Sequence, residues 1–472
     1  MNFDQLDFRE FPFPSESDWI AAIEKELKGR SIEEITFTNL SGINYKPFYS
    51  KNDRVFLNEG LFTHSQVKHH QNHWSILESF CISDESDEPY LLYEALEYGA
   101  NAINVSHISL EKMHTVFDKI HKSFIQTFFI LDDLHLSQNP YDLYDKILTV
   151  WQNEKEHVKF SFLPSSYLLK NGQFLIGESE DQLFFKDIYK KYNTINSWII
   201  DGTIYHNSGF DSCSQIAWMI HQLSDIFDCY LSELDADIIP TIIFKISIGP
   251  NWIEEIAKIN ALKIAYQRLC KAWNVKPNSV YFWGVSSYFY QTRLDPYNNL
   301  LRHAIEGLAA ISAGVDYLEF LPFDVPDVKT STIRRWNRNI HHLLVYESKL
   351  TRFINPMAGS FAMENITKTV TEKAWEIFCN LEDSGTFTQH VLNGTIAQQA
   401  SSSFNQRIAQ LQEMKIKLTG VNLYPDKNQI ATLDALSEEF PVVKGKITEY
   451  IKPVRLAASL ENKLKKEHET GI

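Results

Sequence analysis

The sequence predicts a (β/α)8 barrel preceded by an N-terminal arm and followed by a helical C-terminal segment. Short β-branched or aromatic runs alternate with helical periods over about 280 residues, giving eight strand–helix units, the number that closes a parallel sheet into a barrel. No glycine-rich phosphate turn follows the first run, which argues against a doubly wound open sheet. At 472 residues, 44% hydrophobic and 13% aromatic, the chain can bury one large core.

In chain order, residues 1–90 read as the arm. A helix is expected at 15–27, where Ser15 or Ser17 caps and Trp19, Ile20, Ile23 and Leu27 share a face too narrow to stand alone. The extended stretch 41–53 follows and is suited to lying on another surface. The barrel is assigned to 91–384, with strands at 102–106, 127–131, 158–163, 197–202, 241–246, 279–284 and 317–321 and a short eighth at 352–355. The helices between them are expected at 141–153, 212–233, 252–273, 295–313 and 331–350. Residues 385–472 read as helices with a return segment at 419–425.

Charge and cysteine usage exclude several classes. A formal net charge of -15 leaves no basic groove for nucleic acid, and the basic clusters at 334–338 and 463–466 read as helix faces. Cys81, Cys213, Cys229, Cys270 and Cys379 are odd in number and never spaced C-x-x-C, so neither a disulfide framework nor a zinc site is expected, and a reducing compartment is. The N-terminus lacks the apolar core of a signal peptide, and no run of eighteen apolar residues occurs; a cytoplasmic protein without a membrane partner is expected.

Three polar groupings invite chemistry. His69, His70 and His73 form H-H-x-x-H, but no glutamate completes a zinc motif, so a solvated loop and no metal are expected. Asp133-Leu134-His135 reads as a chance strand-end motif. The run from Asp201 to Gly209 matters more, because the carboxyl ends of barrel strands are where such folds place their chemistry. Asp201, Tyr205 and His206, with Glu319 on a later strand, are therefore the residues to weigh for catalysis.

Three motifs in order carry a resemblance to a known family. They are Asp295-Pro296-x-x-Asn299-x-Leu301-Arg302, then Arg338-Asn339 followed by Leu344, Glu347 and Ser348, then Asn355-Pro356-x-x-Gly359-Ser360 ahead of Glu364. This region resembles the catalytic barrel of the methylmalonyl-CoA mutase family. The arm is similar too, with Lys28-Gly29 ending its helix and Gly42, Lys46, Pro47, Tyr49 and Asp53 matching the segment that in the family wraps a partner subunit. Gly420-Val421-Asn422-x-Tyr424-Pro425 extends the likeness to the C-terminal segment. The resemblance implies that Trp19, Lys46, Pro47, Phe48 and Tyr49 meet a partner.

Departures from the family pattern imply which member this is. Catalytic members carry G-Y-H-x-x-E-A-G after one strand; aligning Gly202 and Gly209 with its glycines puts Ile204 where the histidine belongs. His206 comes two residues later, a displacement of about 6.5 Å along an extended chain. Noncatalytic members instead show D-G-T-x-Y-H, as here at 201–206. No arginine occurs between Arg54 and Arg268, although coenzyme A phosphates and a substrate carboxylate favour arginine forks. The family's R-P-W-x-x-R-Q-Y-A-G loop, whose tyrosine faces the corrin, is replaced near Asn72-His73-Trp74-Ser75-Ile76. Phe128-Phe129, Phe160, Phe162 and Tyr281-Phe282-Trp283 suit a packed barrel better than a substrate tunnel. The chain ends at Ile472, so the family's flavodoxin-like cobalamin-binding domain is not expected.

The resemblance therefore implies the small, noncatalytic β subunit of a heterodimeric methylmalonyl-CoA mutase. It would bind no cofactor and support a large α subunit that holds adenosylcobalamin and interconverts methylmalonyl-CoA and succinyl-CoA. Two alternatives stand beside it: a diverged TIM-barrel isomerase or lyase with its own strand-end site, and a noncatalytic acyl-CoA-binding barrel.

Overall fold

Eight parallel strands form the centre of the molecule: β1 (Ser75–Cys81), β2 (Ala102–Ser106), β3 (Gln126–Ile130), β4 (Val158–Ser161), β5 (Ser197–Asp201), β6 (Thr241–Ile248), β7 (Val280–Ser286) and β8 (Tyr317–Glu319). The structure is a computed structural model and describes residues 14–55, 72–82, 88–131, 140–191, 195–231, 239–275, 279–324, 330–430 and 451–470. The sheet runs β4-β3-β2-β1-β8-β7-β6-β5. A parallel bridge between Phe160 and Asn196 closes the ring, with the Phe160 amide donating to the Ile195 carbonyl at 2.8 Å. The fold is a (β/α)8 barrel.

One strand lies elsewhere than expected. Residues 350–352 form a 3-10 turn rather than the start of a strand, and the eighth position is taken by β1, which lies inside the segment read as arm. β1 pairs with β2 from Leu77 opposite Ala102 to Cys81 opposite Ser106, and with β8 through Ser75 and Ile76.

Side chains alternate across the strands, as a pleated sheet requires. Outward residues such as Phe129, Phe160, Trp198, Phe244 and Phe282 join the helices in the main core. Its long helices are α3 (Ser212–Tyr230), α4 (Trp252–Ala272), α5 (Tyr297–Ala313), α6 (Ser331–His342) and α7 (Phe361–Ser384); before them come the arm helix α1 (Glu16–Glu26) and a short α2 (Thr203–Asn207). α7 packs against both α3 and α4. A smaller core, including Phe289, Leu294, Leu411, Val421 and Leu456, fastens the C-terminal segment with α8 (Thr395–Gln412) and α9 (Ala458–Thr470) to the loop after β7. Among the described residues, no helix is long and apolar enough to cross a membrane.

The motif residues brace this frame. Asn299 accepts from the Thr292 amide at 3.0 Å and donates to the carbonyls of Thr292 and Phe323, each at 2.8 Å, while Arg302 reaches the Thr419 carbonyl at 2.8 Å. Ser360 caps α7, and the Gly359 amide donates to Glu364 at 3.0 Å. Arg338 and Arg334 of α6 both donate to the Glu78 carboxylate of β1, at 2.7 and 3.0 Å. The Glu78 contacts tie β1 to α6 beside a small cavity that Glu78, Glu319, Arg334 and Arg338 line.

Candidate functional site

The barrel axis is filled. Inward-facing Phe128 of β3 packs 5.2 Å from Trp283 of β7 and 5.1 Å from Tyr317 of β8 between ring centroids, and Tyr281 lies 5.9 Å from Tyr317. Leu77, Ile199 and Ile243 complete this layer, and Phe128 and Trp283 are fully buried. Rings at these separations leave no room along the axis for an extended ligand.

A polar layer sits above the rings, toward the carboxyl ends of the strands. Lys245 Nζ lies 4.4 Å from the Trp283 ring centroid, and Trp283 Nε1 donates to Glu319 Oε2 at 3.2 Å. Asp201 is paired with Lys170 at 2.9 Å and accepts from the Thr203 amide and hydroxyl at 3.0 and 2.5 Å. Burial opposes its charge, yet Lys170 and Lys245 prevail and hold its carboxyl well below the usual range. Burial dominates at Glu319 and raises its carboxyl, although Lys245 and Trp283 favour the charged form. Asp201 is thus a committed ion-pair partner rather than a free base.

β1 supplies a residue-by-residue comparison with the mutase loop. Counting its ten positions from Asn72 places the second arginine at Leu77 and the corrin-facing tyrosine at Ser79. Leu77 is fully buried in the axial layer, and Trp74 is turned into the core, its Nε1 donating to His341 Nδ1 at 3.3 Å.

The predicted strand-end residues do not converge. Residues 203–207 are helical, not extended, so two positions turn the side chain by about 200° around an axis rather than sliding it 6.5 Å along one face. The reason is local: Asp201 accepts from the Thr203 amide and starts the helical turn. Tyr205 points into the main core, 5.8 Å from Phe210 between ring centroids. His206 points away from the axis, where Nε2 lies 2.8 Å from Ser287 Oγ and Nδ1 lies 3.4 Å from Gln215 Nε2. Gln215 is oriented by Lys258, which donates to its Oε1 at 3.2 Å, and by the Phe210 carbonyl, which accepts from its Nε2 at 2.8 Å. Its amide therefore donates to Nδ1, the imidazole proton rests on Nε2, and His206 donates to Ser287 instead of activating it. Burial, with Lys258 and Arg407 nearby, holds the ring well below its ordinary pKa and keeps it neutral.

Sequence reasoning missed the cavity beside His206. It measures about 430 Å³ and is bounded by 37–40 of the arm, the starts of α3 and α4, Tyr290 and the end of α8. Glu254 accepts from Ser212 Oγ at 2.8 Å, Asn251 at 3.0 Å and Asn39 at 3.2 Å. Arg407 donates to the carbonyls of Gly209 and Phe210 at 2.7 and 2.9 Å and to Tyr290 Oη at 2.9 Å. Gly209 has φ +92°, and a Cβ there would meet the Phe404 backbone at 3.2 Å, so this close approach needs glycine. The cavity joins residues as far apart in the chain as Phe37 and Ile416, and no local motif announces it.

The proposed partner-facing residues hold one another, and Tyr49 also packs against the main core. Trp19 and Phe48 stack at 4.7 Å, Lys46 pairs with Asp53 at 2.6 Å, and the Lys46 amide donates to Tyr49 Oη at 3.2 Å. Pro47 and Phe48 are exposed, and no residue of α1 is fully buried. Residues 37–45 lie instead on the chain's own helices, where Ser41 Oγ donates to Asp211 at 2.7 Å and the Ser41 carbonyl accepts from Lys373. His69, His70, Asp133 and His135 lie outside the described residues. Among the described residues, no group of three or more His, Cys, Asp or Glu side chains is arranged to hold a metal ion.

Comparison with known proteins agrees with the barrel. Residues 182–467 match the family model described as methylmalonyl-CoA mutase. The methylmalonyl-CoA mutase small subunit of Porphyromonas gingivalis is 25% identical over 451 residues, covering 90% of this chain and 72% of that protein. The mitochondrial methylmalonyl-CoA mutase of Bos taurus is 23% identical over 94% of this chain and 65% of its own length, and the Cereibacter sphaeroides mutase is 24% identical over 86% and 64%. The chain therefore spans slightly less than two thirds of these last two relatives. A solved dihydropteroate synthase from Thermus thermophilus aligns at TM-score 0.30 and 10% identity over 59% of this chain and 94% of its own, too loosely to bear on function. The family match covers more than half of the sequence and coincides with the motif-braced part of the barrel, so the chain belongs to the methylmalonyl-CoA mutase family.

Proposed function

We propose that this chain is the small, noncatalytic β subunit of an adenosylcobalamin-dependent methylmalonyl-CoA mutase. A larger α subunit would hold adenosylcobalamin and carry out the methylmalonyl-CoA to succinyl-CoA isomerisation, and this chain would stabilise it as a heterodimer. The observation that carries the reading is the aromatic filling of the barrel axis by Phe128, Trp283 and Tyr317. Leu77 and Ser79 at the loop positions, and a neutral His206 turned toward Ser287, support it. The small-subunit name of the Porphyromonas gingivalis relative points the same way. The exposed arm, with its Trp19–Phe48 stack, offers the apolar surface through which a partner would be held.

Equilibrium binding tests the reading directly. The isolated chain should leave the adenosylcobalamin absorption spectrum unchanged and show no saturable heat with methylmalonyl-CoA. Saturable binding of either compound by the chain alone contradicts a noncatalytic subunit and favours the diverged-enzyme or acyl-CoA-binding alternative.

A further inference from the structure

The cavity beside His206 has chemistry that the accessory role does not use. Two opposite charges line it without meeting: among the described residues, no ion pair within 4.0 Å joins Arg407 to an acidic side chain. The three acceptors of Arg407 are neutral, namely two backbone carbonyls and the Tyr290 hydroxyl, although the residue is only 8% exposed. A guanidinium carries five N–H groups, and three are engaged here, so hydrogen-bonding capacity and charge both remain. Glu254 has its own remainder. Its Oε1 accepts from Ser212 and Asn39, whereas Oε2 accepts from Asn251 and keeps one lone pair. Glu255, also lining the cavity, is already paired with Lys258.

A buried guanidinium and a half-buried carboxylate in one cavity suit a ligand that carries both charges itself, because each charge drawn from water is then matched inside. Lys415 adds a cation at the rim, although it is engaged with Glu413 at 2.7 Å, and Phe37, Leu40 and Ile416 offer apolar wall. The volume, about 430 Å³, falls in the range of small-molecule sites.

We propose that this cavity binds a small zwitterion of the α-amino acid class, with its carboxylate on Arg407, its ammonium on Glu254 and its side chain against Leu40 and Ile416. The site lies outside the barrel axis and is independent of any mutase chemistry. One wall belongs to the arm, since Asn39 holds Glu254, so occupancy would also fix residues 37–40 in place.

The test uses the purified full chain and the twenty L-α-amino acids one at a time, read by thermal shift and confirmed by calorimetry. Apolar members such as L-leucine should bind saturably, whereas N-acetyl-L-leucine and L-leucinamide, each lacking one charge, should bind at least tenfold more weakly. Glu254→Gln should weaken the amino acid by a similar factor and leave N-acetyl-L-leucine unaffected. Ile416→Trp, which adds bulk to the cavity wall while leaving Arg407 and Glu254 unchanged, should abolish binding and serves as the second variant if Glu254→Gln fails to fold. No saturable binding by any amino acid, equal affinity for the single-charge controls, or binding that survives both substitutions overturns the proposal.

Discussion

Trp283 shows how one side chain fixes the character of the site. Its ring meets Phe128 below, its indole N–H is spent on Glu319, and its face lies under Lys245. Trp283→Ala should destabilise the chain by about 3–5 kcal/mol, read by urea unfolding, because the closed sheet cannot collapse onto the void. It should not create mutase activity. The sequence run Tyr281-Phe282-Trp283 made bulky strands legible, but which rings face the axis depends on register, which only the pairing of β7 with β6 and β8 decides. His206 was misplaced because the Asp201–Thr203 hydrogen bond turns an expected extension of the strand into a helix.

The buried histidines at this scale make a pH prediction. Burial lowers His303 to about 4, below its unfolded value near 6.5, so the unfolded chain takes up a proton that the fold does not. Its contribution to stability is complete above about pH 6.5 and declines as pH falls toward 4. Glu306, held well above the usual carboxyl range chiefly by burial, acts with the opposite sign, so the bare profile is not diagnostic. A variant isolates the histidine: between pH 7 and pH 5, His303→Gln should lose about 2 kcal/mol less stability than the natural chain in urea titrations.

At the scale of elements, β1 explains both what the sequence revealed and what it hid. Ser75-Ile76-Leu77-Glu78-Ser79 carries a charged residue in a buried strand, which reads as a loop until a partner is known. The partners come from α6, more than 250 residues away: Arg334 and Arg338 neutralise Glu78, and Arg338 also reaches Glu94 at 3.4 Å. Conversely, 352–355 has strand-like residues but follows Lys349 in the left-handed region, which turns the chain away from the sheet. Glu78→Ala should cost about 3–5 kcal/mol, since it leaves two guanidinium groups buried without their carboxylate. A loss below about 1 kcal/mol by chemical denaturation would show the cluster to be solvated instead.

At the scale of the molecule, the alternation that predicts the barrel and the motifs that carry the family likeness are both consequences of packing between successive units. Those features are periodic or local, and so they are legible. The closed axis and the cavity under residues 37–40 depend on side chains brought together from distant elements, and only the assembled ring shows them. The barrel keeps the mutase frame while rings fill its axis, and that filling is the physical basis for proposing an accessory subunit.

Co-purification of the tagged full chain from its native cells, with the mass of the complex measured by light scattering and mutase activity assayed with and without adenosylcobalamin, tests that claim most directly. A 1:1 complex with a larger chain, active only when both are present and cobalamin is supplied, is the expected result. A chain that purifies alone and isomerises methylmalonyl-CoA by itself would contradict it.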